Sequence, residues 1–294
     1  MHQGQYDGMM RSRGEAGWYR FRLAPEVRWS TAVSVREPRS SVMTNQRKRQ
    51  MNARGLAAIM IACGLLHASG AMAKGAAGFL NGQTAPDSLA ILPPPPAEDS
   101  VAFQADKAQY ETGHVLRDPE RVEQARQDAD YRNFGHAFSA AFGMEISATH
   151  TPVLYQLLTE VLQDSHDYAM KAAKNHYKRV RPFVVYKDPT CTPGQDEKMA
   201  LSGSYPSGHA SFGWAAALVL AEINPARQTE ILQRGYAFGK SRVICGAHWQ
   251  SDVDNGQLMG AAVVAALHSN SQFAAALNAA KNEFAGLRAQ DNKK

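Results

Sequence analysis

The chain has 294 residues, 44% of them hydrophobic and 20% charged, a globular composition with room for one large domain or two small ones. Its formal net charge of +5 invites an acidic partner, but residues 1–73 carry 11 of the 32 Lys and Arg and only 4 of the 27 Asp and Glu. That leaves 21 basic against 23 acidic residues from Lys74 onward, so the body of the protein is near neutral and does not support a global basic field for nucleic acid.

Residues 1–50 are polar and Arg-rich without a sustained apolar period, and read as an extension outside the folded protein. Arg47, Lys48, Arg49 and Arg54 then precede an apolar run from Leu56 to Leu66, followed by Ala71-Met72-Ala73. A basic stretch, a short apolar core and an A-x-A site make residues 51–73 a signal peptide cut after Ala73, with synthesis expected to begin at Met43 or Met51. The run is short for a bilayer span, which makes an uncleaved anchor the weaker alternative. A lipoprotein signal around Met60-Ile61-Ala62-Cys63 is weaker again, because apolar residues continue past Cys63. Periplasmic or secreted placement leaves Cys191 and Cys245 in an oxidising compartment, where a disulfide between them is expected and two free buried thiols are the alternative. No other long apolar segment follows, so no membrane insertion is expected after cleavage.

Lys74 to Ser100 is rich in Gly, Ala and Pro, and Pro93-Pro94-Pro95-Pro96 must be extended, so residues 74–100 read as an arm laid on the domain that follows. From Val101 the pattern is helical, with helices expected near 101–111, from Asp118-Pro119 to about Arg132, and near 135–143. The segment Thr151 to Tyr177 reads as one strong helix: Leu154, Leu157, Leu158, Val161 and Leu162 recur at three- and four-residue steps, and Pro152 suits a first turn. His166 and Met170 continue that pattern and are assigned to the core. A long irregular loop from Phe183 to Tyr205 is expected to form a wall of the site. Helices near 208–223, 225–243, 248–267 and 271–289 complete an all-α, single-domain helical bundle over 101–294.

Three stretches carry chemistry. Lys174 and Arg181 stand seven residues apart, and Pro182 ends the element, so two cations gather at a helix end. Neighbouring Lys171, Lys178 and Arg179 make ordinary dipole compensation the competing explanation. Pro206-Ser207-Gly208-His209 opens the next helix, where free backbone N–H groups form an anion cradle, Gly208 admits an oxyanion close to the backbone, and Ser207 adds a hydroxyl or simply caps the helix. In Ser241-Arg242-Val243-Ile244-Cys245-Gly246-Ala247-His248-Trp249-Gln250-Ser251-Asp252, Asp252 lies one turn from His248 if a helix starts there. A carboxylate on one ring nitrogen fixes the tautomer and leaves the other nitrogen as nucleophile or base. Arg242 adds a permanent fork suited to a tetrahedral oxyanion.

Competing chemistries fit less well. Tyr205 occupies the place where a serine-hydrolase elbow needs Gly. Gly235 to Ser241 resembles a phosphate loop but is one residue short and has no preceding strand. Zinc at His209, His248 and Asp252 would face Lys174, Arg181 and Arg242, and at an effective dielectric near 20 each unit charge at about 4 Å is worth about 4 kcal/mol gross.

Lys174-x6-Arg181-Pro182, Pro206-Ser207-Gly208-His209 and Ser241-Arg242-x5-His248-x3-Asp252, in this order, resemble the three-part signature of the type 2 phosphatidic acid phosphatase (PAP2) superfamily. Gly203-Ser204-Tyr205-Pro206-Ser207-Gly208-His209 and the signal peptide are similar to the bacterial class A non-specific acid phosphatases, over roughly residues 90–285; Ala210 stands where close relatives are expected to have Thr. The resemblance implies the PAP2/haloperoxidase-like helical fold, small phosphate monoesters as substrates, no cofactor and no metal, and a homo-oligomer, taken as a dimer. It implies that Lys174, Arg181, Arg242, Ser207 and Gly208 hold the phosphoryl oxygens, that His248 oriented by Asp252 forms a phosphohistidine, and that His209 protonates the leaving alcohol and then activates water, with phosphate transfer to alcohols as an accompanying activity. A neutral His248 and a charged His209 then predict a bell-shaped acidic pH profile. A vanadate-dependent haloperoxidase and a non-catalytic phosphate-binding protein are the alternatives, and the lack of spanning helices disfavours a membrane lipid phosphatase.

Overall fold

The computed structural model describes residues 78–293; the extension 1–50, the signal segment with its cut at Ala73, and residues 74–77 of the arm lie outside the described residues. The arm is fastened to the protein by its backbone. Phe79 and Leu80 N–H both donate to the Asp164 carboxylate at 3.0 Å, Asn270 Nδ2 donates to Phe79 O at 2.9 Å, and Tyr205 Oη donates to Pro93 O at 2.7 Å. Leu80 and Leu92 are buried in the main core, and a short helix α1 (Ser88–Ile91), capped by Asp87, interrupts the extended course.

Helix α2 (Val101–Val115) begins at a Ser100 cap and α3 (Pro119–Ala129) at an Asp118 cap with Pro119 at its first position, as capping chemistry favours. A 3₁₀ turn (Tyr131–Asn133) leads to α4 (Phe134–Phe142), which stops at Gly143 with φ 81°. The expected helix over Thr151 to Tyr177 is instead broken into three: α5 (Pro152–Leu162), a π-helical turn (Gln163–Tyr168) and α6 (Lys171–Tyr177). The break has a physical reason in the polar run Gln163-Asp164-Ser165-His166-Asp167. The wider turn buries Asp164 against the arm's N–H groups and swings His166 out of the core toward a cavity, while Met170 stays fully buried. His166 is therefore not the core residue its four-residue spacing suggests.

The loop between Phe183 and Tyr205 is partly regular, containing α7 (Pro182–Tyr186), a 3₁₀ turn (Pro193–Gln195) and α8 (Asp196–Ala200). Cys191 in it is disulfide-bonded to Cys245, with a Cα–Cα distance of 4.9 Å. Helix α9 (Gly208–Ile223) is the axis of the bundle, buried along most of its circumference. It packs between α10 (Gln228–Ile244), which follows a 3₁₀ turn at Pro225–Arg227, and α11 (Gln250–Leu267); α12 (Ser271–Asp291) closes the far side against α5. Small residues set these distances: a Cβ at Gly256 or Gly260 would lie 2.4 Å from Ser207 O or Ser211 O. A helix apolar all round needs partners on every side, and α9 has them. The phosphate-loop look-alike from Gly235 to Ser241 lies inside α10, and among the described residues there is no strand.

Candidate active site

A cavity of about 710 Å³ opens at the N-terminus of α9 and receives residues from all three chemical stretches: Lys174 and Arg181, Gly208 and His209, Arg242 and His248. Lys174 sits in the last turn of α6, but α6 does not carry Arg181 beside it. Lys178 takes a left-handed conformation (φ 46°) that ends the helix, and an extended link brings Arg181 (φ −78°, ψ 152°) back to the N-terminus of α7. Turning of the chain, not helical phase, places the two cations together.

The third stretch folds back on itself. Gly246, at φ 71°, supports a tight turn in which Ala247 N and His248 N both donate to Arg242 O at 3.0 and 3.2 Å, setting the imidazole beside the guanidinium. Asp252 is the third residue of α11 and reaches back to Trp249 N at 2.8 Å, an N-terminal position where the helix dipole favours a carboxylate. Its Oδ2 lies 3.5 Å from His248 Nδ1, and Ser204 stands between them: the hydroxyl donates to Asp252 Oδ2 and lies 3.3 Å from Nδ1. With its proton spent on Asp252, Ser204 Oγ can only accept from Nδ1–H. On the other ring nitrogen, Arg181 Nη1 approaches Nε2 at 3.0 Å, and a guanidinium can only donate. Both contacts fix the same tautomer, with the proton on Nδ1 and the lone pair on Nε2.

The cations differ in what they have free. Arg181 donates to Met199 O, Ser202 O, Ser202 Oγ, Gly203 O and Ala247 O besides His248. Arg242, 1% exposed, reaches only Met199 Sδ at 3.5 Å through Nη2; its Nε and Nη1 are buried without a hydrogen-bond partner among the described residues. Lys174 Nζ donates to Gly203 O at 3.1 Å and keeps two protons. Ser207 is the cap of α9, accepting from Ala210 N at 3.3 Å, and does not line the cavity, whereas Gly208 does. A Cβ at Gly208 would meet His166 Cδ2 at 2.8 Å, so this glycine is also fixed by the neighbouring imidazole.

His209 Nε2 donates to Ala129 O at 3.1 Å, which leaves Nδ1 for other partners. His166 meets it edge to face, with ring centroids 5.4 Å apart, stacks on Tyr131 at 4.3 Å, and pairs through Nδ1 with Asp167 at 2.7 Å. Burial, and then Arg242 and His166, hold His209 well below the ordinary imidazole range, partly offset by the Ala129 carbonyl. Burial, then Arg181, Lys174 and Arg242, do the same to His248 against the opposing Ser204 contact. Burial and Arg181 push Lys174 down to about 7, against the pull of Asp252, and burial brings Arg181 and Arg242 to about 10. Concentrated positive charge in a dry pocket is costly unless an anion shares it.

Zinc does not suit this donor set. Asp252 is taken up by Ser204, Trp249 N and Arg179 (2.6 Å) and does not line the cavity, while three cations do. Arg179, Asp106, Ser204 and His166 complete the surroundings. Motif reading sets Arg179 aside as one of several helix-end charges, and nothing in the sequence links Asp106 to residues more than 70 positions away.

An all-helical bundle with cations and two imidazoles gathered at one helix N-terminus is built to hold a tetrahedral oxyanion. Residues 152–275 match the PAP2 superfamily model. The chain is 50% identical over 212 residues to a non-specific acid phosphatase of Providencia stuartii (71% of this chain, 86% of that protein) and 41% identical over 200 residues to one of Salmonella typhimurium (67% and 80%). An acid phosphatase of Zymomonas mobilis is 38% identical over 204 residues (69% and 77%). The chain belongs to the PAP2 superfamily and, within it, to the bacterial non-specific acid phosphatases.

Proposed function

We propose that this protein hydrolyses phosphate monoesters through a phosphohistidine on His248, without a metal ion. The observation that carries the reading is Arg242: a buried guanidinium with two unpartnered N–H-bearing nitrogens, beside Lys174, the α9 N-terminus and the lone pair of His248 Nε2 in one cavity. Phosphoryl transfer needs positioning and charge stabilisation above all, and this pocket supplies both. Arg242 Nε and Nη1, Lys174 and the Gly208 backbone take the phosphoryl oxygens. Arg181 Nη1 passes from the imidazole to the substrate as it arrives.

Nε2 then attacks phosphorus in line. The N–P bond forms as the ester P–O bond breaks, and the leaving oxygen takes a proton from His209 Nδ1. The negative charge of the substrate opposes the burial and the neighbouring cations that hold His209 low, and so favours its protonated form. In the second half, His209 Nδ1 takes a proton from water, the water oxygen bonds phosphorus, and the N–P bond breaks to release phosphate. An alcohol in place of water gives phosphotransfer. The relatives named non-specific acid phosphatase support small monoesters as substrates, and the signal segment together with the Cys191–Cys245 bond supports action outside the cytoplasm.

Hydrolysis of p-nitrophenyl phosphate tests the reading. Turnover should survive EDTA, be inhibited by vanadate, and be almost lost in His248→Ala. Loss of turnover with EDTA, or full turnover in His248→Ala, would overturn it.

A further inference from the structure

Behind His248, away from the cavity, runs a chain of charged groups that this mechanism does not use. The Arg179 side chain, 8% exposed, lies between two buried carboxylates. Its Nη1 donates to Asp252 Oδ1 at 2.6 Å and to Ser251 Oγ at 2.8 Å, and its Nη2 to Asp106 Oδ2 at 2.7 Å. Asp106, from α2, is held by Ser251 N at 2.8 Å and Ser251 Oγ at 2.6 Å, and the guanidinium lies 5.5 and 5.6 Å from the ring centroids of Trp249 and Phe103. None of these residues lines the catalytic cavity.

We infer that Arg179 is a positioning residue for the nucleophile: by holding the Asp252 carboxylate and dividing itself between Asp252 and Asp106, it fixes the His248 ring and sets how much negative charge that ring faces. The inference rests on the reading of His248 as nucleophile. Asp252 spends Oδ2 on Ser204 Oγ–H and Trp249 N–H, and Oδ1 on Arg179. If Oδ1 lost its partner, a buried charged oxygen would be unpaired and the carboxylate would be held through Oδ2 alone, which would loosen the Ser204 bridge to Nδ1. The charge balance follows from the same contacts. Asp252 alone would favour an imidazolium; Arg179 cancels part of its charge, and Asp106 takes a share of Arg179 back. A planar fork can serve two carboxylates at once, which an ammonium cannot do with the same geometry. The other charged or titratable groups facing His248 are Lys174 of α6, Arg181 before α7, His209 of α9 and Arg242 of α10, all cationic or neutral. Asp252 with its partners is thus the counterweight.

The test compares Arg179→Gln and Asp106→Asn in the full chain, measuring kcat for p-nitrophenyl phosphate, the inhibition constant of inorganic phosphate, and the acid limb of kcat/KM. Arg179→Gln leaves Asp252 its whole charge. It should lower kcat by on the order of 10- to 100-fold, as loss of an outer partner of an oriented imidazole does, and leave phosphate affinity within about threefold. Its acid limb should move to higher pH. Asp106→Asn gives Arg179 wholly to Asp252 and should move the limb the opposite way, a reading that stands even if Arg179→Gln does not fold. In an Asp252→Asn background, Arg179→Gln should shift the limb no further. Unmoved limbs, shifts of the same sign in both variants, or parallel loss of kcat and phosphate affinity in both backgrounds would overturn the inference. Turnover that survives His248→Ala would instead overturn the phosphohistidine reading, an outcome the Arg179 and Asp106 variants neither produce nor conceal.

Discussion

At the scale of single residues, the pocket trades stability for function. Arg242 is buried with two nitrogens unpartnered, and an unsatisfied buried polar group costs about 1–3 kcal/mol. Arg242→Met should therefore abolish phosphate binding and turnover while raising unfolding stability by about that amount, and inorganic phosphate should raise the melting temperature of the wild type but not of the variant. Calorimetry with and without phosphate checks both. Lys174 gives a second prediction. Burial and Arg181 hold its ammonium at about 7, so its charge is present below that pH and is lost as pH rises through it. On the proposed reading Lys174 helps hold the phosphoryl oxygens, so inorganic phosphate should bind more weakly as pH rises through about 7, and Lys174→Arg, whose fork stays charged, should keep phosphate binding to higher pH, as inhibition constants measured across pH would show. On the acid side His248 is held well below 6.5 and stays unprotonated into mildly acidic solution, which gives the bell its acidic placement.

At the scale of elements, periodicity, caps and breakers made α2 to α4, the start of α5 and α9 to α12 legible to within a few residues, because each buries a continuous apolar stripe or begins at Ser, Asp or Pro. The π-helical turn from Gln163 to Tyr168 and the short helix α7 were not legible. A period of four cannot tell a helix that continues from one that widens for a turn, and the difference sends His166 to the cavity and Asp164 to the arm. The six residues that sequence order gathers into the cavity were readable because their motif fixes type and spacing together. Arg179 and Asp106 were not, since a lone Arg at a helix end and a lone Asp on α2 meet only in three dimensions. The loop from Lys187 to Tyr205 supplies Met199, Ser202 and Gly203, whose oxygens hold Arg181, and the Cys191–Cys245 bond ties that loop to the end of α10. Cross-linking across a sequence separation of 54 is worth about 4 kcal/mol in the chain-entropy account. Cys191→Ser with Cys245→Ser should lower the melting temperature and reduce kcat/KM as Arg181 loosens, and the wild type should behave alike after reduction. A doubly substituted protein with unchanged activity and melting would refute this role of the bond.

At the scale of the whole molecule, a body near neutral from Lys74 onward encloses, among the described residues, a strongly cationic cavity, so its attraction for small anions is local. Among the described residues no helix is long and apolar enough to cross a membrane. On the proposed reading, fold, disulfide and buried network together hold one imidazole lone pair where a tetrahedral phosphoryl group would bind. The most direct measurement is a rapid alkaline quench during turnover of a ³²P-labelled monoester, followed by peptide mapping. The account predicts acid-labile label on the peptide containing His248, absent in His248→Ala; a protein that turns over with no label on that peptide, or with label elsewhere, would contradict it.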